Sequence, residues 1–146
     1  MNIRKYKTED FDQLATIYNA AHPDEFYRED SEFSLIPWAE DVYIMSILKD
    51  SDVYVCEGDS ILGFCGYLGD KLNWMFVNPN FRGKGVAAKL LTHILPKLND
   101  NTFLFVLKSN VRAIALYQKF GFILHKELLV DFQGHHILLN KMVIKI

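Results

Sequence analysis

The segment that most constrains the fold of this 146-residue chain is the apolar run TFLFVLK, residues 102–108. The run is nearly continuous, so it lacks the alternation expected of a strand that keeps one face in water. It therefore predicts a central strand covered on both faces. A strand of this kind is typical of mixed α/β or α+β domains, in which helices pack on a sheet.

Further strands are predicted where β-branched and aromatic residues lie between turn residues. These segments are residues 2–7, 52–57, 61–69, 71–79, 122–132 and 135–146. Short turns between the segments at 52–57, 61–69 and 71–79 imply that these strands pair antiparallel. Gln133 and Gly134 predict the turn of a closing hairpin. The final strand could lie at a sheet edge and pair with a second copy, so the chain is expected to be a monomer or a homodimer.

Helices are predicted where apolar residues recur at three- and four-residue spacing. The first ends at Pro23 and the second begins after Pro37; the last is capped by Asn110 and stops at Gly121. The buried residues predicted for the first three helices are Phe11, Leu14, Ile17, Tyr18 and Ala21; Trp38, Val42, Met45 and Leu48; and Val86, Leu90, Leu91, Ile94 and Leu98. The order is β-α-α-β-β-β-α-β-α-β-β. This predicts a single α/β (α+β) domain over residues 1–146, with a mixed, mostly antiparallel sheet flanked by about four helices.

Composition narrows the classes of function. Half of the residues are hydrophobic and 23% are charged, as in soluble globular proteins, and the net charge of −2 gives no positive field for nucleic acid. No signal peptide or membrane-length apolar run is visible, so we expect a cytoplasmic location and no membrane partner. Cys56 and Cys65 lie in strand-like runs, which favours buried thiols in a reducing compartment and no metal site.

The stretch VNPNFRGKGVAAKLLTHIL, residues 77–95, joins a glycine-rich basic loop to an amphipathic helix. The first amides of a helix have no partners within it, and the helix dipole favours negative charge there. Gly83 and Gly85 would let an anion approach those amides, while Arg82 and Lys84 add positive charge. The pattern is neither a P-loop nor a dinucleotide motif, so it predicts a phosphate or pyrophosphate bound in another mode. A tight loop that merely contains two glycines is the alternative.

A second pattern follows at residues 110–122, NVRAIALYQKFGF. Together with the glycine loop it resembles the GNAT superfamily of acyl-CoA-dependent N-acyltransferases. The family's [QR]-x-x-G-x-[GA] pyrophosphate loop is matched by Arg82, Gly85 and Ala87. Its N-x-x-A-x-x-L-Y-x-x-x-G-F pattern is matched by Asn110, Ala113, Leu116, Tyr117, Gly121 and Phe122. The predicted order of elements agrees with the family along the whole chain.

The resemblance implies acetyl-CoA as the acyl donor and no metal. In the family, the strand before the loop bulges and splays from the next strand, and the pantetheine arm lies in the gap like an extra strand. An N–H near Met75 or Phe76 would stabilise the developing oxyanion. Asn110 would contact the arm while also capping its helix. The cofactor-binding residues implied are Met75, Phe76, Val77, Arg82, Gly83, Lys84, Gly85, Val86, Ala87, Asn110 and Tyr117.

The resemblance also implies an N-acetyltransferase that works by direct attack of a primary amine in a ternary complex. Tyr117 would be the catalytic residue that gives a proton to the leaving thiolate. Neither cysteine lies where an acyl-enzyme nucleophile is expected. The alternative is a non-catalytic acyl-CoA-binding or sensor module, because the glutamate that some relatives have before Asn110 is replaced here by Phe105 or Val106.

The amine acceptor, a small molecule or a peptide, and the general base stay open. The acidic, aromatic loop at residues 22–37 favours a cationic acceptor such as a polyamine, an aminoglycoside-like amine or a basic peptide end; a solvated loop is the alternative. Its carboxylates are Asp24, Glu25, Glu29, Asp30 and Glu32. The candidate bases are Asp24, Glu25, Glu29, Asp131, His135 and His136. The predicted acceptor-binding residues are Glu25, Phe26, Tyr27, Glu29, Asp131 and His135.

Overall fold

The computed structural model describes residues 1–144 and contains, within them, seven strands and four α-helices. The elements are β1 (Asn2–Lys5), α1 (Phe11–Ala21), α2 (Val42–Leu48), β2 (Asp52–Glu57), β3 (Ile61–Leu68), β4 (Lys71–Val77), α3 (Val86–Ile94), β5 (Phe103–Leu107), α4 (Val111–Lys119), β6 (Phe122–Phe132) and β7 (His135–Ile144). Their order confirms the predicted arrangement. Lys145 and Ile146, the end of the predicted final strand, lie outside the described residues.

All of these strands belong to one sheet with the order β1-β2-β3-β4-β5-β7-β6. Neighbouring strands are antiparallel except β4 and β5, which are parallel. The prediction that the final strand offers an edge to a second copy is wrong, because β7 pairs with β5 on one side and with β6 on the other. The closing hairpin inserts its second strand next to β5, so its first strand, β6, takes the edge position.

The core consists of two clusters of apolar side chains, one on each face of the sheet. The buried residues that α1 contributes to one cluster are Leu14, Ile17, Tyr18 and Ala21. Those that α3 contributes to the other are Val86, Leu90, Leu91 and Ile94. Each large apolar side chain stabilises the fold by about 1.5–3 kcal/mol when it leaves water. The predicted face of α1 is confirmed, although Phe11 is only partly buried, and that of α3 is confirmed as far as Ile94. The prediction is wrong at Leu98, which follows a 3-10 turn (Leu95–Lys97) beyond the end of α3 and is partly buried.

The second helix, α2, begins later than the sequence predicts. Asp41 caps it, because its Oδ1 accepts a hydrogen bond from the Ile44 backbone N–H at 3.1 Å. This start turns the helix so that Ile44 is buried while Val42 is 82% exposed. Trp38 precedes the helix in a short 3-10 turn and is fully buried. The predicted common face is therefore wrong at Val42, since the aspartate cap fixes where the helical turns begin.

A bulge in β4 decides which way its side chains face. Leu72 and Trp74 pair with adjacent residues of β3, so Asn73 is the extra residue. Side chains two apart on a regular strand share a face, but an extra residue breaks this period. As a result Leu72 packs in the α3 cluster, whereas Trp74 packs in the α1 cluster.

The central strand β5 is covered by helices on one face only. Leu104 and Val106 pack in the α3 cluster, as expected for a central strand. The α1 cluster on the opposite face is built over β2, β3 and β4, and Phe105 of β5 is 39% exposed. The prediction of a strand covered on both faces is therefore wrong at Phe105. This uncovered face of β5 lies beside β4, where the two strands part.

Candidate active site

The strands β4 and β5 separate soon after they meet. Among the described residues they share one register pair, Lys71 with Phe103. Beyond this pair the strands diverge, and the bulge at Asn73 bends β4. The space between them opens into a cavity of about 700 Å³ that both strands line. Cavities of this size hold small-molecule ligands and cofactors.

Backbone groups of β4 point into the gap. The Asn78 N–H donates a hydrogen bond to the Leu62 carbonyl at 2.8 Å, on the β3 side. In an antiparallel pair, successive residues direct their N–H and C=O groups to opposite sides. Met75 and Val77 therefore direct theirs toward β5, whereas Phe76 faces β3. An extended ligand in the gap would meet the same hydrogen-bonding pattern as a partner strand.

The glycine loop leads directly into α3, whose first residue is Val86. Gly83 and Gly85 have φ values of 75° and 82°, in the left-handed region that glycine adopts without strain. A Cβ at either position would meet nothing within 4 Å, so the space in front of the helix is open. The first amides of α3 have no partners inside the helix. Exposed amides with no side chains in front of them fit a phosphate group.

The two basic side chains of the loop differ in their surroundings. Arg82 forms an ion pair with Asp24 at 2.7 Å, and both residues line the cavity. This pair joins the glycine loop to the segment that follows α1. Lys84 is not a lining residue, and its Nζ lies 5.5 Å from the centre of the Phe81 ring. Arg82 is thus the loop cation that faces the cavity.

The fourth helix, α4, brings Asn110 and Tyr117 to the same cavity. Asn110 Oδ1 accepts a hydrogen bond from the Ala113 N–H at 3.3 Å, which confirms the predicted N-cap. The partly buried Tyr117 ring lies edge-on to Phe122, with centroids 5.7 Å apart. Burial raises the pKa of the Tyr117 phenol above its ordinary value, and the Glu25 carboxylate raises it further. The hydroxyl therefore stays protonated at neutral and mildly basic pH.

A histidine lies at the end of α1, and aromatic rings restrict its orientation. His22 stacks on Tyr18 with ring centroids 4.7 Å apart and meets Phe76 edge-on at 6.1 Å. Its Nδ1 lies 3.1 Å from Oε2 of Glu25. His22, Glu25 and Phe76 all line the cavity. A titratable ring and a carboxylate therefore stand beside β4.

Aromatic side chains from two distant segments form another part of the wall. The rings of Phe26, Phe33 and Phe132 contact one another, with centroids 5.0–5.8 Å apart. The Ser34 N–H donates a hydrogen bond to Oε1 of Gln133 at 2.9 Å, which fixes the tip of the β6–β7 hairpin to this loop. Phe26 and Phe132 line the cavity. This wall is therefore apolar and held in place from both sides.

The structure brings most of the predicted cofactor residues together. Those that line the cavity are Met75, Phe76, Val77, Arg82, Gly83, Gly85, Val86, Ala87, Asn110 and Tyr117. Of the predicted acceptor residues, the ones that line it are Glu25 and Phe26. The others, which lie outside it, are Tyr27, Glu29, Asp131 and His135. Their partners are, in the same order, the Arg112 guanidinium, the Ser109 hydroxyl, the Gly134 N–H and the Ser31 hydroxyl. Each of these four side chains already has a partner outside the cavity. An acceptor-binding role for them stays a prediction.

Several lining residues have no role predicted from the sequence, among them His22, Asn73 and Phe132. The sequence could have indicated His22 as a site residue, because it lies at the end of a predicted helix and Glu25 follows three residues later. The sequence indicates Phe132 as a site residue only weakly, through its position beside the hairpin turn. It does not indicate Asn73, because a bulge leaves no residue pattern in a strand as short as β4.

The cysteines lie apart from the cavity. Cys56 and Cys65 are free and buried, and neither is a lining residue. Burial raises the pKa of Cys65 to about 12 and also raises that of Cys56, so neither thiol forms a thiolate readily. Within the described part of the chain, no group of three His, Cys, Asp or Glu side chains could hold a metal ion. None of the helices in residues 1–144 has the length and apolar character needed to span a bilayer.

Curated relatives of the chain are acetyltransferases. The spermine/spermidine N(1)-acetyltransferase of Bacillus subtilis (strain 168) is 30% identical over 76 residues, which is 49% of this chain and 49% of the relative. This chain thus matches about half the length of that relative. The peptidyl-lysine N-acetyltransferase YjaB of Escherichia coli (strain K12) is 29% identical over 131 residues, 84% of this chain and 82% of YjaB.

Solved structures share the fold. A GCN5-related N-acetyltransferase from Rhodopseudomonas palustris superimposes with a TM-score of 0.78 at 16% identity, covering 99% of this chain and 95% of the other. The structure of yncA from Salmonella typhimurium, solved with its cofactor acetyl-CoA, gives a TM-score of 0.74 at 18% identity, covering 99% of this chain and 93% of yncA. The family model described as "Acetyltransferase (GNAT) family" matches residues 11–122, more than half of the chain. The chain therefore belongs to the Acetyltransferase (GNAT) family.

Proposed function

We propose that this chain transfers an acetyl group from acetyl-CoA to a primary amine by direct attack within a ternary complex. The observation that carries the proposal is one cavity that joins the open start of α3, the gap-facing backbone of β4 and Tyr117. These three features suit, in turn, a pyrophosphate, an extended amide-containing arm and a thioester. Membership in the GNAT family and the names of the relatives support the same reaction class.

The residues present fit the donor. The amides at the start of α3 would hold the pyrophosphate, in the space that side chains at Gly83 and Gly85 would fill. Arg82 would add a charge-assisted hydrogen bond. The backbone of Met75 and Val77 would pair with the arm. When bound, acetyl-CoA supplies an acetyl group that is activated as a thioester.

Two groups of the chain would stabilise the charges that develop. Strand alternation narrows the oxyanion donor to the Met75 N–H, because the Phe76 N–H faces β3. The Tyr117 hydroxyl would donate a hydrogen bond to the leaving sulfur and share its proton. Burial raises the pKa of Tyr117, so the hydroxyl would still carry its proton when the thiolate leaves.

The cavity favours an acceptor with one ammonium group on an apolar stem, such as a lysine side chain of a peptide. Of the loop's carboxylates, Asp24 and Glu25 line the cavity, and Asp24 is paired with Arg82. The nearby wall of Phe26 and Phe132 offers no charge. A polyamine would therefore leave its further ammonium groups without a carboxylate, which is costly away from water.

A lysine peptide is accordingly expected to have a kcat/KM about tenfold higher than that of spermine. A buried polar group without a partner raises the free energy of the transition state by an amount that corresponds to about this factor. The measurement is thiol release from acetyl-CoA, with the acetylated product identified by mass spectrometry. The same peptide with norleucine in place of lysine is the matched control and should give no product. An equal or higher value for spermine would contradict this acceptor class.

Replacing Asp24 with asparagine is expected to tighten acetyl-CoA binding about three- to fivefold at low salt, because the change removes a carboxylate from Arg82 and from the phosphate site. Calorimetry at two ionic strengths measures the effect, which should shrink as salt screens the charges. Glu32→Gln removes an exposed carboxylate from the same loop and should leave the affinity unchanged. Weaker binding by Asp24→Asn would show that the ion pair supports the donor site.

The proposal includes a cytoplasmic location and one domain over residues 1–146. Free, buried thiols at Cys56 and Cys65 support a reducing compartment. The outer elements β1 and β7 belong to the same sheet as the matched residues 11–122, which supports a single domain.

A further inference from the structure

His22 and Glu25 form a hydrogen-bonded pair that the steps above leave without a role. The His22 Nδ1 lies 3.1 Å from the Glu25 Oε2, and the two side chains are 20% and 37% exposed. Tyr18 stacks on the His22 ring, and Phe26 lies edge-on at 5.6 Å between centroids. The ring is therefore held in one orientation, yet it still reaches the cavity.

The carboxylate decides which ring nitrogen carries the proton. Glu25 accepts the hydrogen bond, so in the neutral ring Nδ1 bears the proton and Nε2 keeps a lone pair. A neighbouring carboxylate also stabilises the positive charge that appears when Nε2 takes up a proton. An imidazole oriented by a carboxylate is the arrangement of a general base.

The pair stands on the acceptor side of the reacting atoms. The His22 ring contacts Phe76, the neighbour in sequence of Met75. Glu25 is near enough to Tyr117 to raise the pKa of its phenol. A thioester held between Met75 and Tyr117 would therefore have the pair within the same cavity.

We infer that His22 is the general base that takes a proton from the acceptor ammonium, and that Glu25 is its positioning residue. This inference rests on the proposed N-acetyltransferase function. The ring nitrogen Nε2 takes one proton from the ammonium and later releases it to solvent. The neutral amine then forms a bond to the acetyl carbon while the carbon–sulfur bond breaks. The sulfur takes the proton of Tyr117, and the second nitrogen proton restores the phenol, so the products are an amide, a thiol and one proton.

The other candidate bases are less suitably placed. Asp24 is engaged by Arg82 at 2.7 Å. The rest are not lining residues of the cavity: Glu29, Asp131, His135 and His136. The titratable and charged groups that share the cavity with His22 are Glu25 and Asp24 of its own segment, Arg82 of the glycine loop, and Arg112 and Tyr117 of α4; Tyr18 of α1 stacks on its ring. From β4, Phe76 contributes an uncharged ring.

The first test is His22→Gln, which keeps a side-chain amide near Glu25 but cannot take up the proton. With a lysine-type amine, kcat is expected to fall about 100-fold while the calorimetric affinity for acetyl-CoA is unchanged. An amine that is already neutral at neutral pH, such as a fluorinated ethylamine, needs no base before attack. With this amine the loss should shrink to about threefold or less.

The second test is Glu25→Gln, which leaves the imidazole in place. Without the carboxylate the ring no longer has a fixed acceptor for the Nδ1 proton, so kcat with the lysine-type amine should fall about tenfold while the loss with the fluorinated ethylamine stays at about threefold or less. His125→Gln, at an exposed position of β6, is the matched control and should leave kcat with both amines unchanged. This contrast between the two amines decides the matter even if His22→Gln does not fold.

The outcomes distinguish a failure of the assignment of His22 as the base from a failure of the proposed function. Acetyl transfer by the wild type, together with full kcat for the lysine-type amine in both variants, would overturn the role of His22 and leave the proposed function standing. An equal loss with both amines would also overturn it, because that loss indicates a structural role. Absence of thiol release and of acetylated amine with the wild type would remove the proposed function and the base together.

Discussion

Replacing Gly85 with glutamate is expected to weaken acetyl-CoA binding by at least about 100-fold. Gly85 has a φ of 82°, which an L side chain rarely adopts, and it stands directly before Val86, the first residue of α3. A carboxylate there would fill the open space in front of the helix amides and repel the pyrophosphate. Strain and charge therefore act in the same direction.

Isothermal titration calorimetry with acetyl-CoA measures this loss directly. The matched control is Gly69→Glu, in the turn between β3 and β4, where φ is 58° and a Cβ also meets nothing within 4 Å. Gly69 does not line the cavity, so this variant introduces similar strain and charge but should bind acetyl-CoA normally. Normal binding by Gly85→Glu would remove the glycine loop from the donor site.

Replacing Tyr117 with phenylalanine is expected to lower kcat about 100-fold and to leave the affinity for acetyl-CoA nearly unchanged. The phenylalanine keeps the ring against Phe122 but removes the hydroxyl that would stabilise the leaving sulfur. Because burial raises the pKa of Tyr117, the wild-type phenol stays protonated at mildly basic pH and should not by itself limit the alkaline side of the pH profile.

Steady-state kinetics combined with calorimetry separates the acid role from a binding role. Tyr67→Phe is the control, since burial raises the pKa of Tyr67 to about 12 but this residue does not line the cavity. An unchanged kcat in Tyr117→Phe would rule out the acid role. A weaker affinity with unchanged kcat would show that the hydroxyl serves only to bind the donor.

Local sequence patterns predicted the parts of the fold that local physics controls. The buried faces of α1 and α3 follow from helical spacing, because each helix packs one side on the sheet. The glycine loop was visible because the positive φ values of Gly83 and Gly85 require glycine. The identity of the acyl donor could not be predicted from this loop alone, because only the family resemblance connected the loop with Asn110 and Tyr117.

Non-local features could not be predicted from the residue pattern alone. The bulge at Asn73 and the divergence of β4 from β5 depend on strand pairing, which the spacing of apolar residues does not record, so only the family resemblance leads one to expect them. The same limit applies to Phe105, whose apolar run gave no sign that one face of β5 has no helix over it. The ion pair of Asp24 with Arg82 joins two segments that meet only in the folded chain.

The geometry of the cavity narrows the class of amine acceptor that composition alone predicts. The acidic loop favours a cationic acceptor, whether a polyamine, an aminoglycoside-like amine or a basic peptide end, yet most of its carboxylates do not line the cavity. What remains there is the pair of His22 with Glu25 beside an aromatic wall formed by Phe26 and Phe132. Because Asp24, the other lining carboxylate of the loop, is paired with Arg82, this pair and the apolar wall suit a single amine.

The reaction itself is tested most directly by incubating the protein with acetyl-CoA and a lysine peptide and measuring free thiol together with the mass of the peptide. We expect one thiol for each acetyl group added to the lysine nitrogen, and only when protein, donor and amine are all present. Tight acetyl-CoA binding without thiol release from any lysine peptide, peptide N-terminus, polyamine or aminoglycoside would contradict an N-acetyltransferase and would indicate a non-catalytic acyl-CoA-binding module.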